Sequence, residues 1–132
     1  MATVISEAAH KLGWRPGMSA AVLGAPAGFD LGIPTRATAA ADLILAFATD
    51  RAALRAVAPR ALNLYGIGGR LWIAYPKKGG SIRSDLDRDH GWEPVTSEGL
   101  LPVTQVALDA TWSALRFRFR EEIPKVMRAG AV

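Results

Sequence analysis

The residues best placed to do chemistry lie between Tyr75 and His90. Lys77 and Lys78 stand directly before Gly79 and Gly80, and Ser84, Asp85, Asp87, Asp89 and His90 follow. Two cations beside glycine amides suit an anion, because loop N–H groups and ammonium groups can converge on its oxygens. The pattern is not a P-loop, since GxxxxGK followed by Ser or Thr is absent. The plain alternative is a solvated basic turn. If the anion is a substrate, Asp85 or His90 is the group placed to move a proton. Ser84 and the acids after it also have a structural explanation. A serine cap with carboxylates in the first turn satisfies free amides and complements the dipole of a short helix.

Other chemistries find less support. The spacing of Asp85, Asp87 and Asp89 suggests calcium, but an EF-hand count from Asp85 puts the glycine one place late, at Gly91, and Thr96 at the twelfth position where Glu is required. The chain has no cysteine, which excludes thiol catalysis, disulfides and Cys-based zinc sites. His10 and His90 are the only histidines, and no G-x-S-x-G elbow accompanies them. A dinucleotide or S-adenosylmethionine site needs closely spaced glycines after the first strand and an acid after the next. That loop has Gly24 and Gly28, with Pro26 removing an amide donor between them. A tight turn is therefore expected, without a cofactor.

Arg116, Arg118 and Arg120 alternate with Phe117 and Phe119, so one strand face is cationic and the other apolar. A row of arginines can track phosphates. It can equally be a solvated strand face that resists edge-to-edge aggregation, and this is the reading adopted. Trp72, Trp92 and Trp112 read as core or loop anchors. Trp112 and Ser113, at a hairpin bend, are expected beside a neighbouring strand end. They complete a candidate ligand-binding set of Tyr75, Lys77, Lys78, Ser84, Asp85, Trp112 and Ser113.

The elements that must position these residues follow from hydrophobic periodicity. Val4, Ile5, Ala8, Ala9 and Leu12 recur at helical spacing, so residues 3–12 read as a short helix ended by Gly13. Residues 18–23 and 43–48 are apolar runs suited to buried strands. Asp50 caps the next helix, whose buried stripe includes Leu54 and Val57. Pro59 is expected to kink or split it, and Gly66, Gly68 and Gly69 to end it. The strand 71–75 completes a βαβ unit. A short helix is expected from Ser84 and a helical turn from Pro94 to Gly99. Strands 103–108 and 114–119 are too close in sequence for a crossover, so they read as an antiparallel hairpin.

At 132 residues the chain has the length of one domain. Its net charge of +4 is spread evenly: residues 1–66 carry six Lys and Arg against four acids, and residues 67–132 ten against eight. Nucleic-acid binders more often concentrate their charge, so neither DNA nor RNA is the expected partner. The start, MATVISEAAHKLG, has neither the basic residues nor the long apolar core of a signal peptide. The longest apolar run, 39–48, is broken by Asp42 and falls short of the roughly 20 residues a membrane span needs. A soluble, cytoplasmic protein is expected.

Four segments resemble a bacterial family known as domain of unknown function 3052: KLGWRPGM (11–18), LGAPAGF (23–29), GRLWIAYPKKGGSIRSDL (69–86) and TWSALRFR (111–118). The resemblance extends from about Lys11 to Arg120. Its most specific parts are the strand ending in Pro-Lys-Lys and the Thr-Trp-Ser-x-Leu-Arg hairpin. It implies a methyltransferase-type Rossmann fold lacking two strands on one side, and it brings no established activity. After Leu86 this chain is short and interrupted by Gly91 and Pro94, where relatives tend to show a longer helix.

The expected architecture is a three-layer α/β domain of about five strands, parallel with a C-terminal antiparallel hairpin. The expected function is a non-catalytic binding or regulatory module whose partner is a small anionic ligand or an acidic protein. Two alternatives are a small enzyme acting on an anionic metabolite and a degenerate methyltransferase-like protein. A further one is a structural protein that forms a homodimer through the hairpin.

Overall fold

The computed structural model describes residues 6–35 and 40–123. Ser6 opens α1 (Glu7–Lys11): its hydroxyl accepts from Ala9 N at 3.1 Å and donates to Leu31 O at 2.5 Å. The expected start of this helix, before Ser6, lies outside the described residues. β1 (Ala20–Leu23) and β2 (Ala41–Phe47) follow, the second apolar on both faces as its composition predicts. Asp50 then caps α2 (Arg51–Leu64), accepting from Ala53 N at 2.8 Å.

Two expectations about α2 are corrected. Pro59 lies inside the helix without splitting it. Its ring is on the exposed side, while Leu54, Val57, Ala58 and Ala61 are buried beside it. That burial holds the helix to the sheet and offsets the missing N–H donor. Nor do the glycines end the helix. β3 (Tyr65–Pro76) begins at the very next residue, and Gly66 to Gly69 form a bulge within it. Between two pairings with β2, from Ala41–Tyr65 to Leu43–Arg70, β2 advances two residues and β3 five. A Cβ at Gly69 would lie 3.0 Å from Gly66 O and 3.3 Å from Asp42 O, so the bulge closes only around glycine.

After a short α3 (Glu93–Thr96), β4 (Leu100–Ala107) and β5 (Trp112–Phe119) form the expected hairpin. The strand order is β1-β2-β3-β5-β4. β1, β2 and β3 are mutually parallel, and β5 runs antiparallel to both β3 and β4. β5 alone therefore opposes the other strands of this mixed α/β sheet.

Each face of the sheet has its own apolar cluster. On one, Ile44, Ala46, Leu71, Ile73, Leu115 and Phe117 pack with Leu54 and Val57 of α2 and Val95 of α3. On the other, Leu43, Leu45, Trp72 and Ala74 pack with Ala9 of α1 and with Leu12 and Trp14 beyond it. Trp72 Nε1 donates to Leu12 O at 3.0 Å, which satisfies its one polar atom in the core. The sheet is thus covered by α2 and α3 on one face and by α1 with loop residues such as Leu31 on the other.

At the start of β3, Glu122 fastens the bulge to the end of β5. Its carboxylate accepts from Tyr65 Oη at 2.5 Å, Gly68 N at 2.8 Å and Phe119 N at 2.9 Å. Burial alone would raise its pKa, but these donors overcome that and hold it below the usual 4.5. Tyr65 is pushed well above its ordinary value, by burial first and then by Glu122.

Two outcomes follow for stability. A group with a lowered folded-state pKa contributes stability above its unfolded value and loses it as pH falls. Glu122→Gln is therefore expected to cost about 1 kcal/mol near pH 7, screened by partial exposure. Urea midpoints measured from pH 7 to pH 3 should show the gap to wild type closing below 4.5. Pro59→Ala restores a helical N–H bond at an exposed site. An interior proline costs about 3 kcal/mol against alanine, less about 1 kcal/mol of unfolded-state entropy. A higher Tm is expected, and an unchanged or lower one would contradict this reading of α2.

Candidate functional site

Three strand ends meet where β3 finishes. Tyr75 and Pro76 pair with Ser113 and Trp112 of β5, and Lys77 N donates to Thr111 O at 2.9 Å. The chain then turns sharply, with Gly80 N donating to Lys77 O at 3.1 Å and Gly79 at a φ of +78°. A glycine is favoured there because the third residue of a type II turn needs positive φ. A cleft of about 480 Å³ is lined by residues 76–80 and 82–87, which include Lys77, Lys78, Arg83, Ser84 and Asp85.

The helix expected after Ser84 is absent, and its acids serve elsewhere. Ser84 Oγ accepts from Leu86 N at 3.0 Å, and Asp87 Oδ1 accepts from Asp89 N at 2.9 Å. Such bonds to an amide two residues ahead stabilise turns at the expense of helix. Asp85 instead caps α2 from across the structure: its Oδ1 accepts from Arg51 N at 2.8 Å, and Arg51 Nε donates to Asp85 O at 3.0 Å. Of these residues only Asp85 meets a helix N-terminus, and the helix is α2.

A second cleft of about 310 Å³ shares Lys77, Lys78 and Asp87 with the first and adds Tyr75, Arg88, Asp89, His90, Gln105 and Ser113. Tyr75 Oη donates to Gln105 Oε1 at 2.5 Å, and burial raises the phenol's pKa. His90 pairs with Asp87, not with its chain neighbour Asp89: Nδ1 lies 2.8 Å from Asp87 Oδ1. Asp87 is held below the usual carboxylate range by the Asp89 amide first and by His90 next. Trp92 Nε1 donates to Asp87 O at 2.8 Å and fixes the turn from below.

Lys77 and Lys78 line both clefts, Ser84 and Asp85 the first, and Tyr75 and Ser113 the second. Trp112 lines neither. Its ring lies in the opposite cluster, edge-on to Phe47 with centroids 5.0 Å apart. Arg83, Gln105 and the Asp87–His90 pair are additions to the sequence-based set. Gln105, between Thr104 and Val106 in the hairpin, was the visible signal for a polar position facing Tyr75.

The electrostatics of the joined clefts are asymmetric. Asp85 is answered by the N-terminus of α2, and Asp87 by His90 and a backbone amide. Among the described residues, Lys77, Lys78 and Arg83 have no carboxylate within 4.0 Å. The walls therefore hold cations that no described carboxylate pairs with. No group of three His, Asp or Glu side chains among the described residues is placed to hold a metal ion. No helix among them is long and apolar enough to cross a membrane.

No family model matches this chain, and no curated protein matches its sequence.

Because Asp85 joins the site loop to α2, its loss should register in global stability. Asp85→Ala is expected to cost about 1 kcal/mol, the usual worth of a helix cap. A thermal melt indistinguishable from wild type would show that the α2 amides find water equally well.

Proposed function

We propose that this chain is a cytoplasmic binding module that takes a small anionic molecule into the joined clefts at the end of β3. The observation that carries this reading is the charge asymmetry: among the described residues Lys77, Lys78 and Arg83 have no salt-bridge partner around a cleft of about 480 Å³, while Asp85 and Asp87 are already engaged. The clefts lie beyond the carboxyl end of a parallel strand, where open α/β sheets receive their ligands. The turn uses the Gly80 amide on Lys77 O and leaves the Lys78 and Gly79 amides beside the two lysine side chains, a combination suited to phosphate or carboxylate oxygens.

We read the sheet as a reduced methyltransferase-type Rossmann sheet, as the resemblance to domain of unknown function 3052 implies. Supporting this is a parallel β1-β2-β3 set followed by one reversed strand inserted before the last. The non-catalytic reading rests on how the polar groups are spent: Asp85 on a helix cap, and Tyr75 on Gln105 with its proton held more firmly by burial.

A second reading, a small enzyme acting on an anionic metabolite, is favoured by the Asp87–His90 pair. Asp87 holds Nδ1 and leaves Nε2 to exchange a proton with a molecule in the second cleft.

Native mass spectrometry of freshly purified protein should reveal a co-purified anion, and a thermal-shift panel of S-adenosyl compounds, nucleotides and phosphorylated metabolites should identify its class. A ligand at a hundred times its Kd adds about 2.7 kcal/mol of stability. Loss of two charge-assisted contacts in a Lys77→Ala, Lys78→Ala variant should weaken binding by about tenfold or more. Equal binding by that variant would overturn the proposed site. If His90→Ala abolishes turnover of the bound compound and leaves its affinity unchanged, the enzyme reading replaces the binding module.

A further inference from the structure

Arg116 and Arg118 do not lie on an edge strand. β5 is flanked by β3 and β4, which corrects the expectation of an aggregation-resisting solvated face. Alternation along β5 puts Leu115 and Phe117 on the α2 face, so Arg116 and Arg118 share the α1 face with Ala114. Arg116 pairs with Trp72 on one side and Thr104 on the other, and Arg118 pairs with Leu101. The pairing Leu71–Phe117 then sets Arg70, on the same face, beside Arg118. Three guanidinium groups, all half-buried, therefore share one patch of the sheet.

Among the described residues no carboxylate forms a salt bridge to this patch, none lying within 4.0 Å of the three arginines. The Nε atoms of Arg116 and Arg118 are buried without a hydrogen-bond partner. Arg116 Nη2 reaches Gly69 O at only 3.5 Å, and Arg118 Nη2 donates to Glu122 O at 3.1 Å. Glu122 bears on both charges, yet its carboxylate oxygens are committed to Tyr65, Gly68 and Phe119. Burial and then the charges of Arg118 and Arg70 disfavour the ionised form of Arg116. Partial desolvation and mutual repulsion both penalise arginines gathered without a salt-bridge partner. A fold that needed only stability would carry Thr or Val at these strand positions.

We propose that Arg70, Arg116 and Arg118 form a second anion-binding site, on the α1 face of the sheet, for a small molecule bearing two or more phosphate or carboxylate groups. The planar fork of each guanidinium matches such oxyanions. Arg70 lies seven residues before Lys77 on the same chain segment, or roughly 20 Å at strand rise. The two sites are therefore separate, and this inference does not depend on the reading of the β3 clefts.

The test uses the Lys77→Ala, Lys78→Ala variant, so that anion binding at the loop does not mask the arginine patch. Pyrophosphate and citrate are titrated into it by calorimetry, and the tighter of the two identifies a phosphate or a carboxylate ligand. Adding Arg116→Gln should weaken that binding by about tenfold or more, the worth of a charge-assisted hydrogen bond. Arg70→Gln, nearer the surface turn at Gly13, should do the same and serves if the first variant folds poorly. Both should melt, without anion, at or above the parent temperature, since a like charge has been removed. Binding of neither probe, or affinity unchanged by both substitutions, would overturn the proposal. So would a lower anion-free Tm in both variants, which would make the arginines structural.

Discussion

The burial of β3 constrains everything else in this molecule. From Leu71 to Pro76 every residue is buried, with neighbours on both edges and an apolar cluster on both faces. A strand so enclosed can carry no unpaired polar group along its length. Exposed polar and charged groups are thereby displaced to its ends. At the carboxyl end the chain turns through Lys77 to Gly80, and at the amino end the bulge at Gly66 to Gly69 brings Arg70 in. The mixed sheet reflects its connections: α2 carries the chain back for a parallel β2–β3 pair, while the short hairpin makes β5 antiparallel to β4, and β5 lies beside β3 antiparallel as well.

The site loop is tied to this scaffold by helix capping, not by a helix of its own. Asp50 satisfies the Ala53 amide and Asp85 satisfies the Arg51 amide, so two carboxylates from distant positions serve one N-terminus. A helix start needs such acceptors wherever they come from. The consequence is that the segment after Ser84 need not be helical to be held in place. Gly91 completes the fixation: at a φ of +97° it lets the turn close so tightly that a Cβ there would come within 2.6 Å of Leu86 and 2.9 Å of Arg51 Nε.

Much of this was legible in the sequence wherever a local rule sufficed. Apolar runs located β2 and the buried part of β3, Asp50 announced α2, and the short spacing from 108 to 114 required a hairpin. The misses share a cause. Gly66 to Gly69 read as a helix end because glycine terminates helices and also makes bulges, and only pairing with β2 distinguishes the two. Ser84 and its acids read as a first turn because capping residues look alike whether they cap their own helix or another. The arginines of β5 read as a solvated face because strand order, which makes β5 interior, is not written in any one segment. His90 found its partner at Asp87, three residues back, through a turn that periodicity does not describe.

Treating Trp112 and Ser113 as a pair conflicted with the two-residue period of a strand. Adjacent residues face opposite sides, and the structure uses both. Ser113 opens toward Tyr75 and Gln105 on the α2 face, at the second cleft. Trp112 lies edge-on to Phe47 with centroids 5.0 Å apart, and Phe47 in turn lies edge-on to Phe29 at 4.8 Å, on the α1 face. One bend in the hairpin therefore keeps one side of the β3 end polar and fills the other with aromatic rings. The glycine turn after β1 runs beside those rings: a Cβ at Gly24 would meet Phe47 O at 3.2 Å. In an open α/β sheet ligands bind outside the carboxyl ends of the parallel strands. Here the end of the third, β3, keeps the polar groups and the cations, because the hairpin that completes its pairing delivers its aromatic residue to the opposite face.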